Sequence, residues 1–263
     1  MLSNETRQSI FKDIANVYRT RQQIPALTQS YPEIGIEDAY AIQQLFVDQK
    51  RTSGAKLTGY KVGLTSKAMQ QLAGTAEPDF SAMLDYMHIA EASEIRTSDC
   101  FDPMVEIEIA FVMKEHLKGP NVTAVDVIRA TDFVLPAIEL VDFRINRRQG
   151  MSFIDTVADL AAVGGVIVGS NPRRLDQIDV RDIIGELVCN GDVIEKGMSS
   201  AVLGSPVTSV AWLANKLSTF GVSFEPGQLI LSGSFVRAAP VKAGDKVVAR
   251  FNHGLGDVSV EFV

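Results

Sequence analysis

Pro103-Met-Val-Glu-Ile-Glu-Ile-Ala-Phe-Val-Met113 and Val134-Leu-Pro-Ala-Ile-Glu-Leu-Val-Asp-Phe-Arg144 are two apolar runs that carry acids where a core strand should have none. Side chains alternate faces along a strand, so Glu106 and Glu108 point one way while Val105, Ile107 and Ile109 point the other. Two carboxylates on a half-buried face repel, and burial raises the cost of each charge. A divalent cation resolves the conflict, with Glu139, alone in its own apolar run, as a third ligand. Oxygen-only donors select a hard ion, Mg²⁺ or Mn²⁺, over zinc, and three carboxylates leave positions for a chelating substrate. Edge-strand glutamates facing water are the plainer alternative. The continuity of the β-branched and aliphatic runs around all three acids argues against it.

Outward from this stretch, the N-terminal part reads as helical. Ile10, Phe11, Ile14 and Val17 give residues 5 to 22 an amphipathic stripe, and Ala39, Ile42, Phe46 and Val47 do the same from Ile36 to about Arg51, with Gly54 just beyond. Lys56 opens a glycine-rich strand that contains Lys61, after which Ser66 caps a short helix. Thr75 to Asp85, with Glu77-Pro78-Asp79, has the composition of a mobile loop. Met87 to Ile95 is a weak strand. Thr123 starts a helix with Asp126 in capping-box position. Strands follow at Val163 to Ser170 and Ile183 to Val188, Asn190-Gly191 signals a hairpin, and Ser205-Pro206 opens a helix over Val207 to Leu217. Leu229 to Leu231, Lys246 to Phe251 and Val258 to Val263 complete a β-rich C-terminal body. The simplest division is a helical region over 1–55 and a β-rich catalytic domain over 56–263.

Composition narrows the function. A net charge of -7 and a pI near 5.1 leave no basic stripe for nucleic acid or an anionic membrane. The start Met-Leu-Ser-Asn-Glu-Thr lacks the plan of a signal peptide, so a cytoplasmic protein is expected. Cys100 and Cys189 lack metal-site spacing and read as buried free thiols. No glycine pattern forms a phosphate loop. His88, His116 and His253 lie in no nucleophile motif; the last two read as exposed and His88 as a core-edge residue.

Gly59-Tyr-Lys-Val-Gly-Leu-Thr-Ser-Lys-Ala-Met-Gln70, Glu77-Pro-Asp-Phe80, Val105-Glu-Ile-Glu-Ile-Ala-Phe111, Pro136-Ala-Ile-Glu-Leu-Val-Asp142, Asp155-Thr-Val-Ala-Asp159, Val202-Leu-Gly-Ser-Pro206, Val210-Ala-Trp-Leu-Ala-Asn215 and Gly254-Leu-Gly256 together resemble the 2-hydroxydienoate hydratase and 4-oxalocrotonate decarboxylase family of aromatic meta-cleavage pathways. The resemblance spans nearly the whole chain. It implies an α+β fold of the fumarylacetoacetate-hydrolase type, a mixed β roll or sandwich behind a helical N-terminal region, in homo-oligomers that are usually pentamers or decamers. It also implies Mg²⁺ on Glu106, Glu108 and Glu139, and a catalytic role for Lys61.

Asp79 in the Glu-Pro-Asp motif favours the hydratases. The expected reaction is addition of water to a 2-hydroxy-2,4-dienoate through its 2-oxo-3-enoate tautomer. Lys61 would handle the proton at the enol end and, buried beside a cation, titrate nearer neutrality. Asp79 would activate the water, while Thr65, Ser66, Gly233 and Ser234 would hold the substrate carboxylate. Decarboxylation of a 2-oxo-3-hexenedioate and a low-activity metal-binding partner subunit are the alternatives. Hydrolysis of an acylpyruvate would need a His-Glu pair that is not evident. Four positions depart from the family pattern: Phe143 and Ala162 where a serine is usual, Leu160 for asparagine and Ser81 for glycine. They predict an altered pocket wall. Arg144, Arg147 and Arg148 read as a solvated basic loop in preference to a site for a second carboxylate.

Overall fold

The computed structural model describes the backbone of residues 1–263 and every side chain except that of Gln149. Its elements in order are α1 (Asn4–Thr20), α2 (Leu27–Ser30), α3 (Ile36–Thr52), β1 (Leu57–Gly63), α4 (Lys67–Ala73), β2 (Asp79–Leu84), β3 (His88–Ile89), β4 (Glu94–Ile95), β5 (Met104–Met113), α5 (Ala124–Ala130), β6 (Thr131–Val141), α6 (Phe153–Ala158), β7 (Val163–Val168), β8 (Ile184–Cys189), β9 (Asp192–Met198), α7 (Pro206–Ser218), β10 (Leu229–Leu231), β11 (Ala239–Pro240), β12 (Lys246–Phe251) and β13 (Gly256–Phe262). Among the described residues, no helix is long and apolar enough to cross a membrane.

Local chemistry sets the boundaries. Ser66 Oγ accepts from the Met69 N–H at the head of α4, and Thr123 and Asp126 form the capping box of α5. The Asn190-Gly191 turn joins β8 to β9 with both residues at positive φ, the geometry a tight hairpin demands.

An eight-stranded mixed sheet has the order β2-β1-β10-β5-β6-β7-β3, with β11 pairing β5, and a five-stranded sheet runs β4-β13-β12-β8-β9. The larger sheet curls, so that β2 and β7 approach each other although four strands separate them in the order. The smaller sheet lies against β5, β6 and β7. A Cβ added to Gly185 of β8 would fall 2.6 Å from Ile107 Cδ1, so the odd-numbered face of β5 fills the sandwich core. The even-numbered face, with Glu106 and Glu108, therefore points into the curl. Helices α1, α2, α3 and α6 pack together, and Tyr40 of α3 stacks on Phe80 of β2 with ring centroids 4.5 Å apart.

Four expectations change. Residues 79 to 84 form the wholly buried strand β2 in place of a loop, because pairing with β1 from Leu57↔Leu84 to Gly63↔Asp79 satisfies a backbone whose sequence alternation is weak. Arg144 is 1% exposed and ion-paired to buried Asp159 at 2.6 Å, so it is no part of a solvated loop. Arg147 and Arg148 are more open and share Asp102. His88 is exposed, with its Nε2 2.8 Å from Thr58 Oγ1. Cys100 and Cys189 are free but only half-buried.

Candidate metal centre and active site

Register brings the acids together. Glu106 of β5 stands directly opposite Glu139 of β6, and Glu108 opposite Ala137. The three glutamates offer oxygens that all lie within 4.8 Å of one another. Glu108 and Glu139 are fully buried, whereas Glu106 keeps partial exposure, so solvent reaches the cluster past Glu106.

Lys61 reaches the cluster from β1. Its Nζ lies 3.2 Å from Glu139 Oε1, and Ser81 is its in-register neighbour on β2. Asp79, 1% exposed, is paired with Gly63. A Cβ on Gly63 would lie 2.2 Å from Asp79 Oδ1 and 3.1 Å from Lys61 Nζ. The carboxylate and the ammonium thus share the space above a glycine that has no side chain to fill it, a role its sequence context did not reveal.

Four carboxylates face one ammonium, and the titration behaviour follows. Burial pushes Glu106 up to about 8, with the charge of Glu139 adding to the effect. Burial and then Glu139 raise Glu108 well above the ordinary range. Burial lifts Asp79 to about 6, against the opposing pull of Lys61. Burial alone would lower Lys61. Glu139, Asp79, Glu106 and Glu108 together overcome it and hold the amine above its usual value. With no cation in the cluster, the acids that surround Lys61 hold it as an ammonium.

Several buried carboxylate oxygens have no hydrogen-bond donor: Asp79 Oδ1, Glu108 Oε1 and both oxygens of Glu139, one of which lies beside Lys61. Orphaned acceptors at full burial are costly. A divalent cation of the hard class fits this donor set, since it would satisfy the glutamate oxygens and cancel their repulsion.

The remaining candidates line the neighbouring turn. Gly233 donates its N–H to Glu108 Oε2 at 2.7 Å. Its φ of 107°, and a Cβ position only 2.3 Å from the Thr65 side chain, exclude other residues there. Thr65 is buried, with Oγ1 3.4 Å from the Ser234 carbonyl. Ser234 Oγ donates to the Val236 carbonyl, and Ser66 Oγ caps α4. The Gly233 N–H thus orients a glutamate, while Ser66 and Ser234 hold local turns. Phe143 accepts from Gln23 Nε2 through its carbonyl and places its ring 5.6 Å from the Arg147 guanidinium. Leu160 and Ala162 lie in a buried turn that packs on β2.

No family model matches the chain. It is 41% identical to 2-oxo-hept-4-ene-1,7-dioate hydratase of Escherichia coli over the full length of both proteins. It is also 37% identical to 2-hydroxyhexa-2,4-dienoate hydratase of Comamonas testosteroni, over 93% of this chain and 92% of that one. Among solved structures, 4-oxalocrotonate decarboxylase from Pseudomonas putida G7, complexed with magnesium and adipate, superposes with a TM-score of 0.96 at 34% identity, covering 100% of this chain and 99% of that one. The same decarboxylase has also been solved with calcium and acetate. Full-length identity at this level, together with the shared curled sheet, places this chain in the 2-hydroxydienoate hydratase and 4-oxalocrotonate decarboxylase family, whose fold is that of the fumarylacetoacetate hydrolases.

Proposed function

We propose that this chain is a divalent-metal-dependent hydro-lyase. It adds water to a 2-hydroxy-2,4-dienoate, through the 2-oxo-3-enoate tautomer, to give a 4-hydroxy-2-oxo acid. One observation carries the reading: three converging glutamates, two of them with orphaned oxygens, lie beside a buried Asp79–Lys61 couple. Glu106, Glu108 and Glu139 would hold Mg²⁺ or Mn²⁺, which when bound supplies Lewis-acid polarisation of a chelated 2-oxo acid.

The chain's own groups account for the proton movements. Ketonisation takes a proton from the C2 hydroxyl and places one on C5. Lys61, held as an ammonium, stabilises negative charge developing at the C2 oxygen. Asp79, ionised at neutral pH yet raised toward it, accepts a proton from the water whose oxygen bonds to C4, and C3 receives the balancing proton. The Gly233 N–H fixes the orientation of Glu108. Thr65 and the turn at Ser234 border the place for the substrate carboxylate.

Decarboxylation of a 2-oxo-3-hexenedioate is the second reading, supported by the likeness to the Pseudomonas decarboxylase. It has no water to activate, and a buried Asp79 with a free oxygen favours hydration. Incubation with Mg²⁺ and 2-hydroxydienoates bearing methyl, ethyl or carboxylate tails tests both. Loss of dienol absorbance with water incorporated at C4 supports the hydratase. CO₂ release from the dioate, with no hydrated product, replaces it.

A further inference from the structure

Leu160, Ala161 and Ala162 have φ values of 56°, 47° and 58°. Three successive non-glycine residues in the left-handed region run against the steric preference of L-amino acids, so the surrounding structure must impose them. All three are at most 2% exposed. The turn sits between α6 and β7 and packs on β2, the strand that carries Asp79. It fills the gap where the curled sheet brings β2 and β7 together.

A buried hydrogen-bond network holds this turn. Arg144 follows the strand of Glu139. Its Nε donates to Asp159 Oδ1 at 2.6 Å, one terminal nitrogen donates to the Val163 carbonyl at 2.7 Å, and the other donates to the Asp159 carbonyl. Asp159 Oδ2 accepts from the backbone N–H of Arg144 and of Ile145. The Asp142 N–H donates to the Ala162 carbonyl at 2.8 Å. On the other side, the buried Gln43 amide of α3 donates to the Phe80 carbonyl at 3.1 Å and to the Val157 carbonyl at 2.9 Å. A continuous path therefore runs from Phe80, next to Asp79, through Gln43 and α6 to Asp159, and from Asp159 through Arg144 to the end of β6.

We infer that Gln43, Arg144 and Asp159, with the left-handed turn they clamp, are positioning residues that set Asp79 against Lys61 and Glu139. The inference rests on the hydratase reading for its kinetic consequence and on geometry alone for its placement of Asp79. None of these residues touches the reacting atoms. Asp79 and Glu139 lie on strands separated by β1, β10 and β5 in the sheet order, and the network spans the shorter way round.

Two variants test it in the full-length protein. Asp159→Asn keeps the shape of the side chain but removes the charge that the Arg144 guanidinium and the Arg144 and Ile145 N–H groups bind, so it loosens the clamp. Gln43→Leu deletes both bonds to the carbonyls. The turnover-independent readout is the ¹³C carboxyl titration of Asp79, assigned by its loss in Asp79→Asn. Its midpoint is expected to move in both variants, while Mg²⁺ affinity measured by calorimetry stays within twofold. Hydration of the best dienoate is expected to fall at least tenfold in kcat, with C5 proton exchange changing less than threefold and the circular dichroism of both variants matching the parent. An unmoved Asp79 titration in both variants overturns the positioning role. A parallel loss of metal affinity, exchange and hydration also overturns it, because it would reveal general structural support. A moved titration in a protein that hydrates no dienoate overturns the hydratase reading and leaves the positioning role standing.

Discussion

Glu106 and Glu139 face each other in register across β5 and β6, inside the curl of the larger sheet. The pair has a counterpart at the surface, where Glu94 and Glu261 are also in register across β4 and β13. There both side chains meet water, and Glu261 binds Lys246 at 3.2 Å. The interior pair has no such relief beyond Lys61.

Replacing either interior acid would remove one of the proposed ligands and a source of repulsion together. Glu106→Gln and Glu139→Gln are expected to weaken divalent binding by more than the roughly 100-fold that loss of an outer partner costs. Metal-dependent turnover should disappear. Calorimetry with Mg²⁺ and circular dichroism check the two halves, and retention of activity in Glu106→Gln would refute the metal assignment.

The metal-free protein should respond to pH in a direction set by the raised acids. Glu106 keeps its proton in the fold up to about 8, whereas in the unfolded chain it is lost near 4.5. Between those values the unfolded state binds fewer protons, so stability falls as pH rises. Glu108 shifts in the same direction. Melting of chelator-treated protein should therefore drop by at least a few degrees from pH 5 to pH 8. Saturating Mg²⁺ should flatten or reverse that slope, since the bound form needs the carboxylates ionised.

Asp79→Asn should slow hydration by roughly 10²- to 10⁴-fold, the usual worth of a general base, with a smaller effect on C5 proton exchange. The parent kcat should decline as pH falls through about 6, where Asp79 takes up its proton. That limb should be absent from the residual activity of Asp79→Asn. Equal losses in hydration and exchange would assign Asp79 another role.

Gly63→Ala tests the crowding above the glycine. Its methyl would need the space 2.2 Å from Asp79 Oδ1, and Lys61 Nζ is close behind. Hydration kcat should fall about as far as in Asp79→Asn, while KM changes little and Mg²⁺ affinity is kept. Calorimetry beside steady-state kinetics separates this outcome from a loss of fold.

Much of the site was legible because its signals are local. A carboxylate in an aliphatic run is conspicuous at any position, and period-two alternation already put Glu106 and Glu108 on one face. The helical N-terminal part followed from the stripe of Ile10, Phe11 and Ile14, all buried. The turn chemistry of Glu77-Pro78-Asp79 points to a loop, and the strand character of β2 comes only from pairing with β1. Nothing local to Arg144 points to burial, because its partner, Asp159, is 15 residues away and meets it only after α6 folds back.

The sequence by itself determined the alternation of the acids, the caps and turns that bound the elements, and the charge conflict that calls for a cation. Tertiary structure alone decided that Glu139 stands opposite Glu106 with Lys61 beside it, because strand register and the curl of the larger sheet bring together residues far apart in the chain. It also decided the state of Lys61. A lysine's charge depends on what surrounds it in space, and the curl surrounds this one with four carboxylates drawn from three other strands.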